Sequence, residues 1–405
     1  MQPEDVISTI LKHDAKQTSY KFALVRAIND VALFFPYLRN PNKDIAIPLK
    51  LLAQYWVAYY WPFVNPNEPI LQGTNTPDMR FRPQLTELRR IWEQINGGVS
   101  RPSDGFFLID ELRISRKRQT YGEELHRAFD ESLTKIAQAV EQQPIKHAGP
   151  SSEPWTVFEK PKIYRKFDGS VVKIPGTQET DKCLIIEAPL WRTFQKRSLW
   201  IEALCIHEWA LFGERVKQEN QQKVHRCHIY RLLTDRPNKR IDLTWEKDCI
   251  NNLLIEGKEF ICPWTEKRIT SGIEYHLDHL LPLSLYPINE LWNLVPADPY
   301  FNSCIKRDRL PKLDTLQKAK PYLERAYSYY NSSEELSVAL KDDVKSRFLT
   351  VSGKAKPYLE RAYSYYNSSE ELSVALKGDV CPSALANAVI NFIDIVGESR
   401  NIARF

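Results

Sequence analysis

The sequence has no CxxC pair. Its seven cysteines, at 183, 205, 227, 249, 262, 304 and 381, are dispersed over 405 residues. That spacing excludes zinc ribbons and paired cysteine knuckles, and an odd, scattered set fits a reducing cytoplasm. There is no long apolar run. The most apolar stretch, residues 47–64, is broken by Lys50 and Gln54 and limited by Pro62. A membrane span needs about 20 apolar residues, so this stretch reads as a buried helix and no membrane contact is expected. The opening MQPEDVISTILKHD carries Glu4 and Asp5 and reads as neither a secretory signal nor a transit peptide. No motor, nucleotide-binding or methyltransferase motif occurs. Charge bias is weak: a formal net charge of +5 permits a nucleic-acid partner without requiring one.

What is present is mostly helical pattern. In SYKFALVRAINDVALFF, Phe22, Val25, Ile28 and Ala32 recur at helical spacing. Residues 85–95 repeat this more weakly, and the many aromatics of residues 1–100 read as core. Gly97, Gly98 and Pro102 mark a break. A helical pattern over residues 105–145 contains the basic stretch RISRKRQ, with Arg113, Arg116, Lys117 and Arg118. It reads either as a solvated helix end or as a phosphate-contacting patch. WTVFEKPKIYRKFDGSVVKIPG looks like β-structure, with Asp168-Gly169 as a hairpin turn. Residues 188–218 and 243–256 return to helix. His225, Cys227 and His228 lie close together, but no second ligand pair follows, so packing is the expected role. RPNKR at 236–240 reads as an exposed basic turn.

Residues 318–344 recur at 354–380 with one difference, Asp342 against Gly378, at a period of 36. Each copy reads as a helical hairpin, its first helix opening near Pro321 and its second at the S-x-x-E box of Ser332 and Glu335. Two near-identical copies indicate a recent tandem duplication rather than a solenoid. The last segment, residues 381–405, reads as a packing helix and a short tail.

The chemistry concentrates in residues 260–311. IEYHLDHLLP is β-prone and delivers Asp278 and His279 side by side. Asp298-Pro299 is a helix start, and Pro311 a stop, so the helix between them presents Asn302 and Lys306 four apart on one face. A strand–loop–helix unit of this kind brings together one carboxylate and one amide oxygen. Such a pair suits a hard cation, Mg²⁺ or Mn²⁺, that keeps waters and takes phosphate oxygens. His279 has the intrinsic pKa of a general base near neutrality. Lys306 or Arg307 would stabilise phosphate charge. The implied reaction is metal-assisted phosphodiester hydrolysis. His276 shares a strand face with Asp278 and is either a flanking residue or a further metal or phosphate contact.

This segment resembles the HNH endonuclease family, built on the ββα-metal fold. The resemblance rests on Asp278-His279, Pro282, Asn293-Leu294-Val295, Asn302, Lys306 and Leu310-Pro311, with Cys262-Pro-Trp-Thr265 similar to the family's entry strand. It covers about an eighth of the chain. It implies Asp278 and Asn302 as metal ligands, His279 as the base and Asn293 as a loop brace that orients the histidine. Arg307 and Arg309, with the distant Arg116, Lys117 and Arg118, are the candidate DNA contacts. Asn302 in place of a last histidine makes this an HNN variant. Lys306 follows Asn302 by four residues, where three is commoner. No structural zinc is expected, so surrounding helices must brace the module.

The expected fold class is therefore mainly α with a small α+β nuclease module. Its segments are a helical region (1–100), a mixed α/β region (101–187), a helical connector (188–256), the nuclease domain (257–315) and a helical tail with the duplication (316–405). The expected function is a metal-dependent DNA endonuclease of a bacterial defence system, in the cytoplasm. The alternative is a nuclease subunit of a larger sensor or nucleic-acid-guided complex, gated by a partner. One such site cuts one strand, so double-strand cleavage would need a homodimer or two successive nicks.

Overall fold

The computed structural model describes all residues except 1, 39–41, 75–77, 150–152, 168–170, 219–222, 237–242, 285, 287, 353–372, 378, 401 and 403. It is mainly helical with small sheets, and it divides into two compact units, Met1–Pro237 and Asn238–Phe405. The division falls inside the stretch read as a single connector. Among the described residues, no helix is long and apolar enough to cross a membrane.

The first unit opens with α1 (Pro3–Ser8) and α2 (Tyr20–Phe34). Helix α2 was expected to bury one stripe. Instead it is buried nearly all round, including Arg26 and Asn29. Strand β1 (Asp44–Pro48) runs straight into α3 (Leu49–Tyr60), the helix foreseen in the apolar stretch. Then come α4 (Arg82–Ile95), α5 (Asp104–Arg113), the single turn α6 (Ser115–Arg118) and α7 (Glu123–Val140). Short strands β2 (Lys162–Ile163), β3 (Val171–Lys173) and β4 (Lys182–Ile186) precede the 28-residue α8 (Ala188–Arg215) and α9 (Arg226–Thr234).

The sheet order is β2-β4-β1-β3, with β1 parallel to β3 and antiparallel to β4. This corrects the hairpin reading. The proposed turn at Asp168-Gly169 lies outside the described residues, and its flanking strands β2 and β3 do not pair with each other. β1 and β4 come between them. The apolar Ile45, Ala46 and Ile47 of β1 are completely buried, so β1 takes the central place. A strand buried on both faces shows no alternation, which is why it was not seen in the sequence.

The core of this unit is aromatic, as expected. Trp56, Tyr60, Trp61, Phe63, Phe81 and Trp209 are all buried, and Trp209 Nε1–H donates to Gln72 Oε1 at 2.8 Å. Helices α3 and α5 approach closely at Gly105. A Cβ there would stand 2.7 Å from Trp61 Cβ and 2.9 Å from Ala58 Cα. Alanine is intrinsically the better helix former by about 1 kcal/mol. Overpacking costs about 1–3 kcal/mol and wins here, because the obstructing atoms are main chain or close to it. Gly105→Ala is expected to lower the urea midpoint of this unit. An unchanged or raised midpoint would show that the helices can move apart freely.

The second unit begins with α10 (Thr244–Ile255) and the hairpin β5 (Phe260–Ile261) and β6 (Arg268–Ile269). Strands β7 (His276–His279) and β8 (Leu294–Ala297) form an antiparallel pair. After a wide helical turn, Phe301–Lys306, come α11 (Leu313–Ser332), α12 (Glu334–Arg347), strands β9 (Leu349–Ser352), β10 (Ser373–Lys377) and β11 (Asp379–Val380), and α13 (Pro382–Arg400).

The first copy of the duplication is the helical hairpin α11–α12. Its boundaries differ from expectation: Pro321 lies inside α11, and the cap of α12 is Ser333, whose Oγ accepts from Leu336 N–H at 3.4 Å. In the second copy residues 354–372 lie outside the described residues, and Ser373–Lys377 is a strand where the identical Ser337–Lys341 is helix. Helices α11, α12 and α13 back the β7–β8 pair. Buried Tyr327 donates to Trp292 O and buried Tyr330 to Leu294 O, each at 2.8 Å. Trp292, Phe348 and Phe392 form an edge-to-face cluster with centroids 5.2–5.8 Å apart.

Candidate active site

The β7–β8 pair and the turn after it set the geometry. His276 opposes Ala297, Asp278 opposes Val295 and His279 opposes Leu294. Asp298 caps the next element as foreseen: its Oδ1 accepts from Phe301 N–H at 2.9 Å. Lys267 pairs with the same carboxylate, and Asp298 N–H donates to buried Cys262 Sγ at 3.2 Å, which ties the β5–β6 hairpin to the end of β8. The helix read as running to Pro311 is shorter and wider. It closes with a π-type bond, Arg307 N–H to Asn302 O at 3.0 Å, and ends at Arg307 with φ +49°. A π-turn absorbs one extra residue, which accommodates the four-residue interval between Asn302 and Lys306.

Asp278 and Lys306 are brought together. Both are almost completely buried, and Lys306 Nζ donates to Asp278 Oδ1 at 2.8 Å and to His279 O at 2.6 Å. The other carboxylate oxygen accepts from Trp264 Nε1–H at 2.7 Å. Trp264 is carried in by the turn between β5 and β6, and it had no assigned role in the sequence. Asn302 sits half-buried on the wide turn, and its carboxamide has no hydrogen-bond partner among the described residues. No direct bond links it to Asp278. Lys306, foreseen facing a phosphate, is instead committed to Asp278.

His279 Nε2 lies 2.7 Å from Asn289 Oδ1. With Nε2 donating to that oxygen, Nδ1 carries the lone pair. Burial holds the imidazole below its ordinary pKa, partly offset by the Asn289 bond and by Asp278. It is therefore neutral near pH 7. The side chain of Asn293 bonds to Leu281 and not to the ring. Completely buried, it accepts from Leu281 N–H at 2.7 Å and donates to Leu281 O at 3.1 Å, while its own carbonyl accepts from Leu280 N–H at 2.8 Å. The brace foreseen in Asn293 is thus a loop clamp, and the residue that holds the histidine is Asn289. An isolated asparagine in a loop carries no periodic signal, so Asn289 could not be picked out from the sequence.

The remaining candidates are more scattered. His276 Nδ1 lies 3.3 Å from Ser303 Oγ, so His276 and Asp278 both meet the wide turn. Arg307 is exposed. Arg309 is bonded to Ile305 O and its guanidinium lies 5.9 Å from the Phe405 ring. Lys117 and Arg118 belong to the other unit. Lys117 pairs with Glu111 at 2.6 Å, Arg113 lies over Phe34, and Arg118 is exposed. The side chain of Arg116 lies outside the described set. Arg236, read as part of an exposed turn, pairs with Glu202 at 3.1 Å and stacks on Phe106 at 4.1 Å; residues 237–240 lie outside the described residues. His225 caps α9 through Cys227 N–H at 3.2 Å.

Among the described residues, no group of three or more His, Cys, Asp or Glu side chains is arranged to hold a metal ion. A cation at Asp278 would draw on a different donor set. Asp278 Oδ1 and His279 O are hard oxygens converging on one positive charge, at present the Lys306 ammonium. Hard divalent cations take carboxylate and carbonyl oxygens of this kind. The ammonium marks a position that fits such an ion.

Residues 2–233 match the profile of a family described as a domain of unknown function, DUF8808. The match spans more than half of the chain, and the chain belongs to that family. It ends four residues before the boundary of the first unit, so the candidate site lies wholly outside it. No curated protein and no solved structure matches the chain.

Proposed function

We propose that this member of the DUF8808 family is a metal-dependent HNH-type endonuclease hydrolysing phosphodiester bonds in DNA. The observation that carries the reading is the buried Asp278 carboxylate beside the Asn289-held His279 on a two-strand-and-turn unit. In this reading His279 Nδ1 takes a proton from the attacking water. Asp278 and the His279 carbonyl, with Asn302 of the wide turn as a further ligand, would hold Mg²⁺ or Mn²⁺, which as a Lewis acid would polarise the scissile phosphate. Asn293 keeps the loop in register and Trp264 fixes the carboxylate. Exposed Arg307 is the cation best placed to meet the DNA backbone, and His276 flanks it. The free cysteines suit a reducing cytoplasm, and a role in defence against foreign DNA would assign target choice to the first unit. The alternative, a subunit gated by a partner protein, is favoured by the pairing of Asp278 with Lys306 in the isolated chain.

The test is relaxation of supercoiled plasmid by the full chain with Mg²⁺ or Mn²⁺. Nicking that stops on chelation and is absent in Asp278→Ala is the expected result. Cleavage that persists in Asp278→Ala would overturn the assignment.

A further inference from the structure

The lysine at the centre of this site is in an unusual place. A side chain that binds DNA phosphates belongs at the surface, where its ammonium is hydrated and mobile. Lys306 is 1% exposed, its partner Asp278 is 3% exposed, and the ammonium is shared between Asp278 Oδ1 and the His279 carbonyl. Burying two charges is costly, and leaving either one unpaired costs more. Asp278 therefore requires a positive neighbour, and Lys306 supplies it.

A divalent ion would need the same oxygen. Its bond to a carboxylate is about 2.0–2.6 Å long, while the ammonium lies 2.8 Å from Asp278 Oδ1. Two cations cannot both stand there, since like charges a few ångströms apart repel strongly away from water. One must leave, and the fold offers Lys306 a way out. It is the last residue of the wide turn, followed by exposed Arg307 in the left-handed region at φ +49°. A non-glycine residue there is strained, which places the least settled backbone of the turn next to the lysine. Asn302 rides on the same turn.

We propose that Lys306 is the resident counter-ion of the cation site. It neutralises the buried Asp278 carboxylate and is displaced when a divalent ion binds. The proposal rests on the endonuclease reading only in taking Asp278 as a cation ligand. Lys306 then sets the apparent affinity for the ion, because only the fraction with the lysine withdrawn is competent to bind.

The experiment uses the full chain and Mn²⁺ alone. Free Mn²⁺ is followed by electron paramagnetic resonance for wild type, Lys306→Met and Asp278→Asn. Removing the competitor is expected to tighten binding about tenfold or more, and Asp278→Asn is expected to abolish it. In parallel, lysine acetylation of the wild type is read by mass spectrometry. Lys306 should be protected without metal and reactive with it. A folded Lys306→Met that binds Mn²⁺ no more tightly than wild type overturns the proposal. So does a Lys306 that stays protected when Mn²⁺ saturates the site. If Lys306→Met does not fold, the labelling of wild type decides alone. Mn²⁺-dependent exposure of Lys306 without plasmid cleavage would support this role and sink the reading of the chain as a nuclease active on its own. Metal-dependent cleavage with Lys306 protected throughout would do the reverse.

Discussion

Arg347→Ala is expected to destabilise the second unit by about 3–5 kcal/mol, the cost of removing one partner from a buried ion pair. Arg347 is completely buried at the end of α12. Its Nε donates to Glu290 Oε2 at 3.0 Å, Nη2 reaches the other oxygen, and Nη1 donates to Tyr286 OH at 2.8 Å. Glu290 is 5% exposed and also accepts from Trp292 Nε1–H. Without the guanidinium this carboxylate has no water to turn to. The loss should appear as a lowered urea midpoint, with early hydrogen exchange in the segment from Tyr286 to Leu294. Combining Arg347→Met with Glu290→Gln should lose much less than the sum of the single changes, because the second change removes the charge that the first strands. Strict additivity of the two would mean that the pair is not coupled, and the account would fail. The site should respond as well, since Glu290 lies between Asn289 and Asn293. Buried Asp343 of the same helix fixes that stretch at a second point, accepting from Leu291 N–H at 2.6 Å.

Nothing in the local sequence announced that pair. Glu290 and Arg347 are 57 residues apart, and each reads alone as an ordinary surface charge. The helices that could be read, among them α2, α3, α4, α7, α8 and α10, fall on stretches whose apolar residues form a run or recur at helical spacing. β1 was missed because three apolar residues between turn-formers have no measurable period. The duplication makes the same point. Ser337–Lys341 and Ser373–Lys377 have one sequence, yet the first is a helix and the second a strand paired with β9. Tertiary surroundings override propensity of that strength. At the candidate site, Asp278, His279 and Asn293 could be picked out because their spacing resembles a known pattern, and the Asp298 cap because Asp-Pro is a helix start. Trp264 lay in the entry-strand segment without a role and Asn289 has no such spacing, and only the chain path shows that they bond the two central side chains. Lys306 and Asp278 each stood out as residues, but their pairing did not.

If Asn289 rather than Asn293 positions the base, three variants should separate cleanly under the endonuclease reading. His279→Ala removes the base and should reduce plasmid nicking about 10²–10⁴-fold. Its fold should survive, because among the described residues the ring makes a single side-chain hydrogen bond. Asn289→Ala leaves the imidazole in place but frees Nε2, so ring orientation and tautomer are no longer set. The expected loss is about 10–100-fold, the usual effect of removing a partner that orients a site residue. It should fall on kcat, with the urea midpoint nearly unchanged. Asn293→Ala should behave in the opposite way. It strands the Leu281 N–H and carbonyl in a buried loop, at about 1–3 kcal/mol per unsatisfied group, so its activity loss should track the unfolded fraction and recover on cooling or with stabilising osmolyte. Asn289→Asp offers a further control, since a carboxylate can still accept from Nε2–H and should retain more activity than alanine. A stable Asn293→Ala protein with lost cleavage, beside a fully active Asn289→Ala, would return the orienting role to Asn293 and refute the division drawn from these hydrogen bonds.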